Sequence, residues 1–487
     1  MLSYYPNVAL FLVLVIFSLF LPISFNYYYF LTASARPSTE PLSRMAAFRG
    51  GLIINDSNLK AEVVARGLKS PTNMAFLGPN DILVNEKLNG TVQRIINGEI
   101  QPQPILDVSV ASQSERGMLG IAVAKPTTTN NESTSSPTTY VFVSYTETEV
   151  EGSDICPNLN YCVPGHDPLG NRLYRYELDS DNNLINPKLL LDLPAVPGPP
   201  HNGGKVLIGP DNNVYIGIGD VGKHRTQSEN SLRAPVDGTG GILRITQDGQ
   251  LVDNPPLGSD TIPLALYYAY GMRNTFGMDF DPVTGNLWDT ENGPTYGDEI
   301  NLVQPGFNSG WRAVQGFWET TGNGNYYSGR FTLNPSGLID FAGKGKYRSP
   351  EFAWLNPAGP TAIKFLDSDK LGKQYQNDMF EADFHGGNIY HFKLNESRTG
   401  LILNGPLADK VANTPAEMQQ GGIIFAKGFG AITDLEVGPY DGYLYVLTFD
   451  GTIYRIVPLN SVSNSNESSP PSPDSPSSST PILPFLG

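Results

Sequence analysis

Cysteine, histidine and charge are all scarce in this chain, which has 2 Cys, 5 His and 16% charged residues among 487. Two cysteines are too few for a disulfide-stapled scaffold or a cysteine-rich zinc module. The histidines, His166, His201, His224, His385 and His391, include no pair at the close spacing of a zinc-binding helix or hairpin, which disfavours a His-rich zinc hydrolase. So low a charged fraction also sets aside the disordered and coiled-coil classes. Basic residues are the minority, 32 Lys and Arg against 48 Asp and Glu, for a formal charge of −16. That excess repels phosphate backbones and anionic lipid, so the expected partner is a small neutral or cationic molecule and no nucleic acid.

What is abundant points to β-structure. The chain has 51 Gly, 40 Pro, 24 Tyr and 23 Phe, a mixture that favours many short strands joined by turns over long helices. At this length a large closed β architecture competes with a division into two to four ordinary domains.

The two ends read as address and spacer. Residues Val8 to Phe25 form one uncharged apolar run, followed by Tyr27, Tyr28, Tyr29 and Phe30, and this segment enters or anchors in a bilayer. Small residues Ala33, Ser34 and Ala35 suit cleavage, yet no basic residue precedes Arg36, so a signal peptide and a retained anchor both stay open. An exported location is expected, extracellular or in the cell envelope. Cys156 and Cys162, in the loop-like CPNLNYC, suit a small disulfide better than a metal site, with two free thiols as the alternative. Sequons at Asn55, Asn89, Asn131, Asn395 and Asn466 permit glycosylation. After Pro458 a Ser/Pro-rich stretch cannot bury a core. The division expected is 1–35 signal or anchor, 36–58 linker, 59–458 folded domain and 459–487 tail.

The folded part is a degenerate repeat. ITDLEVGPYDGYLYVLTFDGTIYRI, in the last unit, contains three short strands separated by the turns GPYDG and FDG, and KVLIGPDNNVYIGIGD repeats its first two strands and turn. Looser copies bring the unit starts to roughly 74, 119, 205, 275, 362 and 434. Each unit holds enough chain for about four strands, the content of a propeller blade. The expected fold is therefore all-β, a six-bladed β-propeller of four-stranded antiparallel blades, with two stacked β-sandwiches as the alternative. The Gly- and Tyr-rich region Thr320 to Tyr347 is expected to be a long loop on one face.

Polar residues at strand ends carry the chemistry. In PGPPHNGGK, His201 stands between a stiff Pro-Pro and two glycines, just before a strand, where a propeller exposes it to its central funnel as a general base. Asp220 ends the neighbouring strand of the same unit and can orient that imidazole. Arg273 and Asn274 offer a permanent cation and an amide to a carbonyl that gains negative charge. In TENGPTYGDEINL, Gly293 and Pro294 can point carbonyls at a hard cation, with carboxylates from Glu291, Asp298 and Glu299. Each has a plainer reading: a loop histidine, a turn-capping Asp, a surface Arg.

Taken in order, SERGMLGIAV, HNGGKVLIGPDNNVYIGIGD, GGILRI, YGMRNTFGMDFDP, ENGPTYGDEINL, GWR and ITDLEVGPYDGYLYVLT resemble the soluble quinoprotein glucose dehydrogenase and aldose sugar dehydrogenase family. The resemblance covers roughly Leu59 to Val457. It implies a six-bladed propeller that oxidises an aldose at C1 to the lactone with pyrroloquinoline quinone (PQQ) and Ca²⁺, and passes electrons to an external acceptor. By position it makes His201 the base and Asp220 the carboxylate beside it. Arg273 and Asn274 become the cofactor-binding pair, Gly293 and Pro294 the calcium-holding carbonyls, and Glu115 a cofactor-contacting residue.

The chain departs from that pattern at several places. His385 stands where the glucose dehydrogenases have a cofactor-gripping lysine, and Ala431 and Thr433 stand where arginines are common. Pro200 replaces a sugar-meeting acid, and Arg225 occupies another sugar-contact position. Lys205, Lys223 and Arg116 are candidate replacement cations. Two other functions follow if the quinone is lost: a Ca²⁺-dependent lactonase using Asp220, Asn274 and Glu291, or a non-catalytic carbohydrate-binding propeller on the cell surface.

Overall fold

The computed structural model describes residues 51–124, 138–149, 168–222, 224–321, 327–330 and 337–459. The N-terminal apolar segment, both cysteines, Lys223, the sequons at Asn131 and Asn466, and the tail from residue 460 lie outside them. Among the described residues no helix is long and apolar enough to cross a membrane.

Short strands dominate, and the one α-helix among the described residues is Pro415–Gln420. The turns that predicted the strands act through side chains. In GPDNN, Asp211 accepts hydrogen bonds from the Asn213 backbone and the Tyr215 hydroxyl, and in GPYDG, Asp441 accepts the equivalent pair from Tyr443 and Tyr445. The aspartate closes the turn and pins the next strand's tyrosine, so the repeat is one local motif used twice.

The strands form six sheets of four to six strands and a separate three-stranded sheet. The innermost strands are Pro71–Gly78, Met118–Ala124, Val206–Ile208, Thr275–Phe280, Pro360–Phe365 and Ile432–Val437. The unit starts read from the sequence lie on these strands or within a residue of them. Neighbouring sheets pack in order around a ring, and Ile432–Val437 returns to contact Pro71–Gly78, which closes it. The fold is an all-β propeller with very little helix. Leu59–Arg66 pairs antiparallel with Thr452–Pro458, so the first long strand completes the last sheet and ties the two ends of the folded part together.

Two expectations need correction. Only two of the larger sheets have four strands; the others add edge strands, some of them parallel, such as Phe307–Asn308 beside Tyr267–Tyr270 and Val411–Ala412 beside Phe352–Trp354. Thr320 to Tyr347 is not simply a loop. Trp318–Thr320 pairs with Tyr327–Arg330, and Lys346–Tyr347 joins the sheet of His201 through Phe307–Asn308. Tyr270 reaches under this region to donate its hydroxyl to the Ile339 carbonyl.

Apolar side chains fill the wedges between sheets; one wedge holds Phe142, Val214, Leu243 and Tyr267, all at 0% exposure. Nearer the axis the packing is ionic. Lys205 Nζ lies 2.7 Å from Asp434 and 3.2 Å from Glu436, and Lys364 Nζ lies 2.8 Å from Glu436 and 3.2 Å from Asp279. These five residues come from four sheets, so the network fastens sheets that have no shared backbone hydrogen bonds.

Candidate active site

Antiparallel pairing places the start of each sheet's first strand beside the end of its second. In a closed ring those ends gather at one mouth of the axis. A cavity of about 500 Å³ opens there, in the range that holds a small molecule and its cofactor. Strand starts supply Thr72, Leu119, Thr361 and Thr433 to its lining, while the second-strand ends supply Lys87, Asn292, His385 and Phe449.

His201, Glu115, Arg273, Asn274, Gly293, Pro294 and His385 all line this cavity, although they are scattered over 271 positions of sequence. His201 is only 6% exposed and has φ of 64°, a left-handed conformation imposed by the tight loop after Pro199-Pro200. Gly203 follows with φ of 58°, and a Cβ there would lie 2.8 Å from the Gly217 carbonyl, so only glycine fits. His201 Nδ1 lies 2.5 Å from Asp220 Oδ1, which leaves Nε2 as the ring nitrogen available to a bound molecule. Asp220 is fully buried and accepts a second hydrogen bond from Trp311 Nε1 at 2.8 Å and a third from the Gly222 amide.

Glu115 ties the base to the neighbouring sheet. Its Oε2 accepts from the His201 amide at 2.7 Å and from Asn274 Nδ2 at 2.9 Å. Asn274 Oδ1 remains buried with no partner. Arg273 Nη1 donates to the Asn292 and Gly293 carbonyls at 2.7 and 2.8 Å, its Nε has no acceptor, and its guanidinium carbon lies 5.5 Å from the Trp311 ring centroid. Burial lowers the Arg273 pKa, opposed by Asp220, Glu115, Asp298 and Glu291.

The carboxylates expected to complete a calcium site sit behind the cavity wall. Asp298 Oδ1 accepts from the Gly293 amide and Oδ2 from the Gly359 amide, both at 2.8 Å, so it braces the loop that presents Gly293. Glu299 accepts from Ser309 and Gln315 and is absent from the lining. It pairs across the sheet with Glu291, whose Oε1 accepts the Arg273 amide at 2.6 Å. Burial raises both carboxyls, Glu299 further through repulsion from Glu291. Among the described residues no group of three or more His, Cys, Asp and Glu side chains is arranged to hold a metal.

The candidate replacement cations also have other employment. Lys205 lines the cavity but is engaged by Asp434 and Glu436, and Arg116 donates to the Ala195 carbonyl at 2.6 Å. Sequence reasoning missed Lys87, a lining cation, and Trp311, which holds Asp220. Trp311 lay inside the quoted GWR stretch, but nothing local tells which acceptor an indole will meet. The end of the cavity near Thr433 is apolar, where Phe384 and Phe449 pack edge-on at 5.6 Å.

The glucose/sorbosone dehydrogenase family profile matches residues 68–455, which includes every one of these positions. The chain belongs to that family. It is 30% identical over 263 residues to the aldose sugar dehydrogenase YliI of Escherichia coli, a match that covers 53% of this chain and 61% of that protein. It is 27% identical over 284 residues to quinoprotein glucose dehydrogenase B of Acinetobacter calcoaceticus, covering 54% of this chain and 55% of that one. Both matches thus span less than two thirds of the relatives' length. The PQQ-bound aldose sugar dehydrogenase of Streptomyces coelicolor shares the fold, with a TM-score of 0.55 at 22% identity over 82% of this chain and 99% of that one.

Proposed function

We propose that this family member is a quinoprotein aldose dehydrogenase that oxidises the C1 hydroxyl of an aldose to the lactone and passes the electrons to an external acceptor. The six larger sheets are read as its six blades, which their closed ring of contacts supports. The observation that carries the reading is the His201–Asp220 pair at the cavity wall.

Asp220 accepts the Nδ1 hydrogen and thereby keeps Nε2 unprotonated, ready to take the sugar's hydroxyl proton. The imidazolium that forms is stabilised by the same buried carboxylate. PQQ supplies the hydride acceptor when bound. The residues present fit such a group: Arg273 Nε and Asn274 Oδ1 are buried polar atoms without partners, and Lys87 adds positive charge to the wall. Arg273 and Asn274 would hold it, while Leu119, Phe276 and Phe384 exclude water. Calcium at the Gly293 and Pro294 carbonyls is the finer part of the proposal, and it requires the Arg273 guanidinium to leave Gly293.

The test is titration of the full chain with PQQ, with and without Ca²⁺, followed by dye reduction over a panel of aldoses. Quinone-dependent reduction that is lost in His201→Ala supports the reading; full activity of His201→Ala sinks it. The uncharged end at Thr433 and Phe449 favours a second reading, a carbohydrate-binding propeller without cofactor. Sugar binding with no quinone binding would establish that one. We also propose export, with Asn55 an exposed glycosylation site; recovery of intact, unglycosylated protein from the cytosol would defeat it.

A further inference from the structure

The cavity at the axis divides into two unlike halves. Among the described residues, each Lys, Arg and Glu of its lining belongs to the first four sheets: Lys87, Glu115, Lys205 and Arg273. The fifth and sixth sheets, whose innermost strands are Pro360–Phe365 and Ile432–Val437, contribute Gly359, Thr361, Phe384, His385, Thr433 and Phe449. On that side the one titratable lining side chain is His385.

Polar groups of this half are already engaged with the protein. Thr361 Oγ1 lies 2.8 Å from the Ile432 carbonyl and 3.2 Å from that of Ala382, and Thr433 Oγ1 donates to the Leu447 carbonyl at 3.4 Å. Asp298 holds the Gly359 amide, and the Gly359, Ala358 and Ala431 carbonyls accept the amides of Phe384, His385 and Phe449. What this half presents is ring surface. Phe384 and Phe449 are both half-buried, with centroids 5.6 Å apart and planes inclined at 65°. Rings at that inclination form a corner, where a flat aromatic group can lie on one face and meet the edge of the other. The His385 ring packs directly on the backbone at Gly359, where a Cβ would lie 3.0 Å from its Cε1.

A sugar matches this corner poorly. Each hydroxyl stripped of water needs a hydrogen-bond partner, and the threonine hydrogens and these amides are taken. A flat ring with its polar atoms along one edge needs no partner at the other. The charged half supplies cations, Lys87 and Arg273, for oxygens on the polar edge.

We propose that the fifth and sixth sheets form a subsite for the uncharged edge of a planar aromatic quinone. Such a ring serves either as the hydride acceptor itself or as the diffusible acceptor of the electrons. In both cases the quinone gains two electrons and two protons and becomes the hydroquinone, while the aldose loses the same from C1 and its hydroxyl and becomes the lactone. The redox role rests on the dehydrogenase reading, whereas the aromatic subsite stands on the lining alone.

The probe is phenanthrenequinone, flat and uncharged, titrated into the full chain by calorimetry and by quenching of tryptophan fluorescence, with a hexose and PQQ titrated separately. It binds saturably, and its affinity changes less than about twofold between low and high salt, because no ion pair is involved. Phe449→Ala and Phe384→Ala each weaken it at least about tenfold through lost ring contact. The melting temperature of each variant is measured, and should one fail to fold the other decides alone. Absence of saturable binding, or undiminished affinity in a folded variant, overturns the subsite. Hexose binding that is lost in Phe449→Ala while phenanthrenequinone stays unbound gives the corner to the sugar and overturns it too. Aldose-dependent reduction of bound phenanthrenequinone without PQQ makes this the place of the hydride acceptor; reduction only with PQQ present makes it that of the diffusible acceptor. Phenanthrenequinone binding with no reduction in either case keeps the subsite and removes the dehydrogenase reading, whereas PQQ-dependent dye reduction without phenanthrenequinone binding does the reverse.

Discussion

Trp311 donates its indole hydrogen to Asp220 Oδ2 over 2.8 Å, while the other oxygen of the same carboxylate lies 2.5 Å from His201 Nδ1. The carboxylate is thus clamped from both sides, and its orientation toward the imidazole depends on a residue 91 positions away.

Trp311→Phe keeps the ring and removes that donor. A hydrogen bond to a buried charge contributes roughly 1.5–3 kcal/mol. Released on one side, Asp220 holds the imidazole less firmly, and kcat falls by at least about tenfold, since each 1.4 kcal/mol is about tenfold in rate, with KM little changed. Steady-state kinetics with the favoured aldose check this, and an unaltered kcat removes Trp311 from the positioning of the base.

Glu229 makes stability depend on pH. Burial first, then repulsion from Asp220, pushes its carboxyl from 4.5 up to about 8. The folded state therefore holds this proton more tightly than the unfolded chain, so native stability is lost as pH rises from 4.5 toward about 8, at roughly 1.4 kcal/mol per pH unit from this group. Glu229→Gln carries no such charge, and its melting temperature relative to the native protein rises between pH 5 and pH 8. A constant difference across that range contradicts the assignment.

Lys205→Met leaves Asp434 and Glu436 facing each other with only Lys364 to balance them. Breaking a buried ion network by removing one partner costs about 3–5 kcal/mol. Urea unfolding at neutral pH should show a loss of that size. A loss below 1 kcal/mol, in the range of an exposed pair, would mean that the axial network does not fasten the sheets.

Arg273 competes with any cation for the Gly293 carbonyl, to which it donates at 2.8 Å. Calcium alone should thus raise the melting temperature of Arg273→Gln more than that of the native protein, because binding to the folded state stabilises it. Equal shifts, with or without chelator controls, indicate that the two do not share the carbonyl.

Much of the fold was legible because it is local. An apolar run, an Asp-bearing turn and a second run specify a strand pair within about 15 residues, and repetition of that unit implies a ring. The extra parallel strands were not legible, since Phe307–Asn308 is too short to carry a pattern and pairs only because the ring brings Tyr267–Tyr270 beside it. At the site, His201 and Asp220 could be read together because they flank one strand pair of one sheet. The partners of Asp298 were not legible for the opposite reason: both of its oxygens were available on paper, and only the folded loop turns them onto the Gly293 and Gly359 amides.

The sequence by itself determined the strand-and-turn grammar, the family and the residue types that reach the axis, since propensity and hydrogen bonds within a turn act over a few residues. Tertiary structure alone decided which partners those residues meet: Trp311 with Asp220, Lys205 with Asp434, and Phe384 with Phe449. Such contacts depend on how separate sheets are placed around the ring, a matter of packing that no local stretch of sequence encodes.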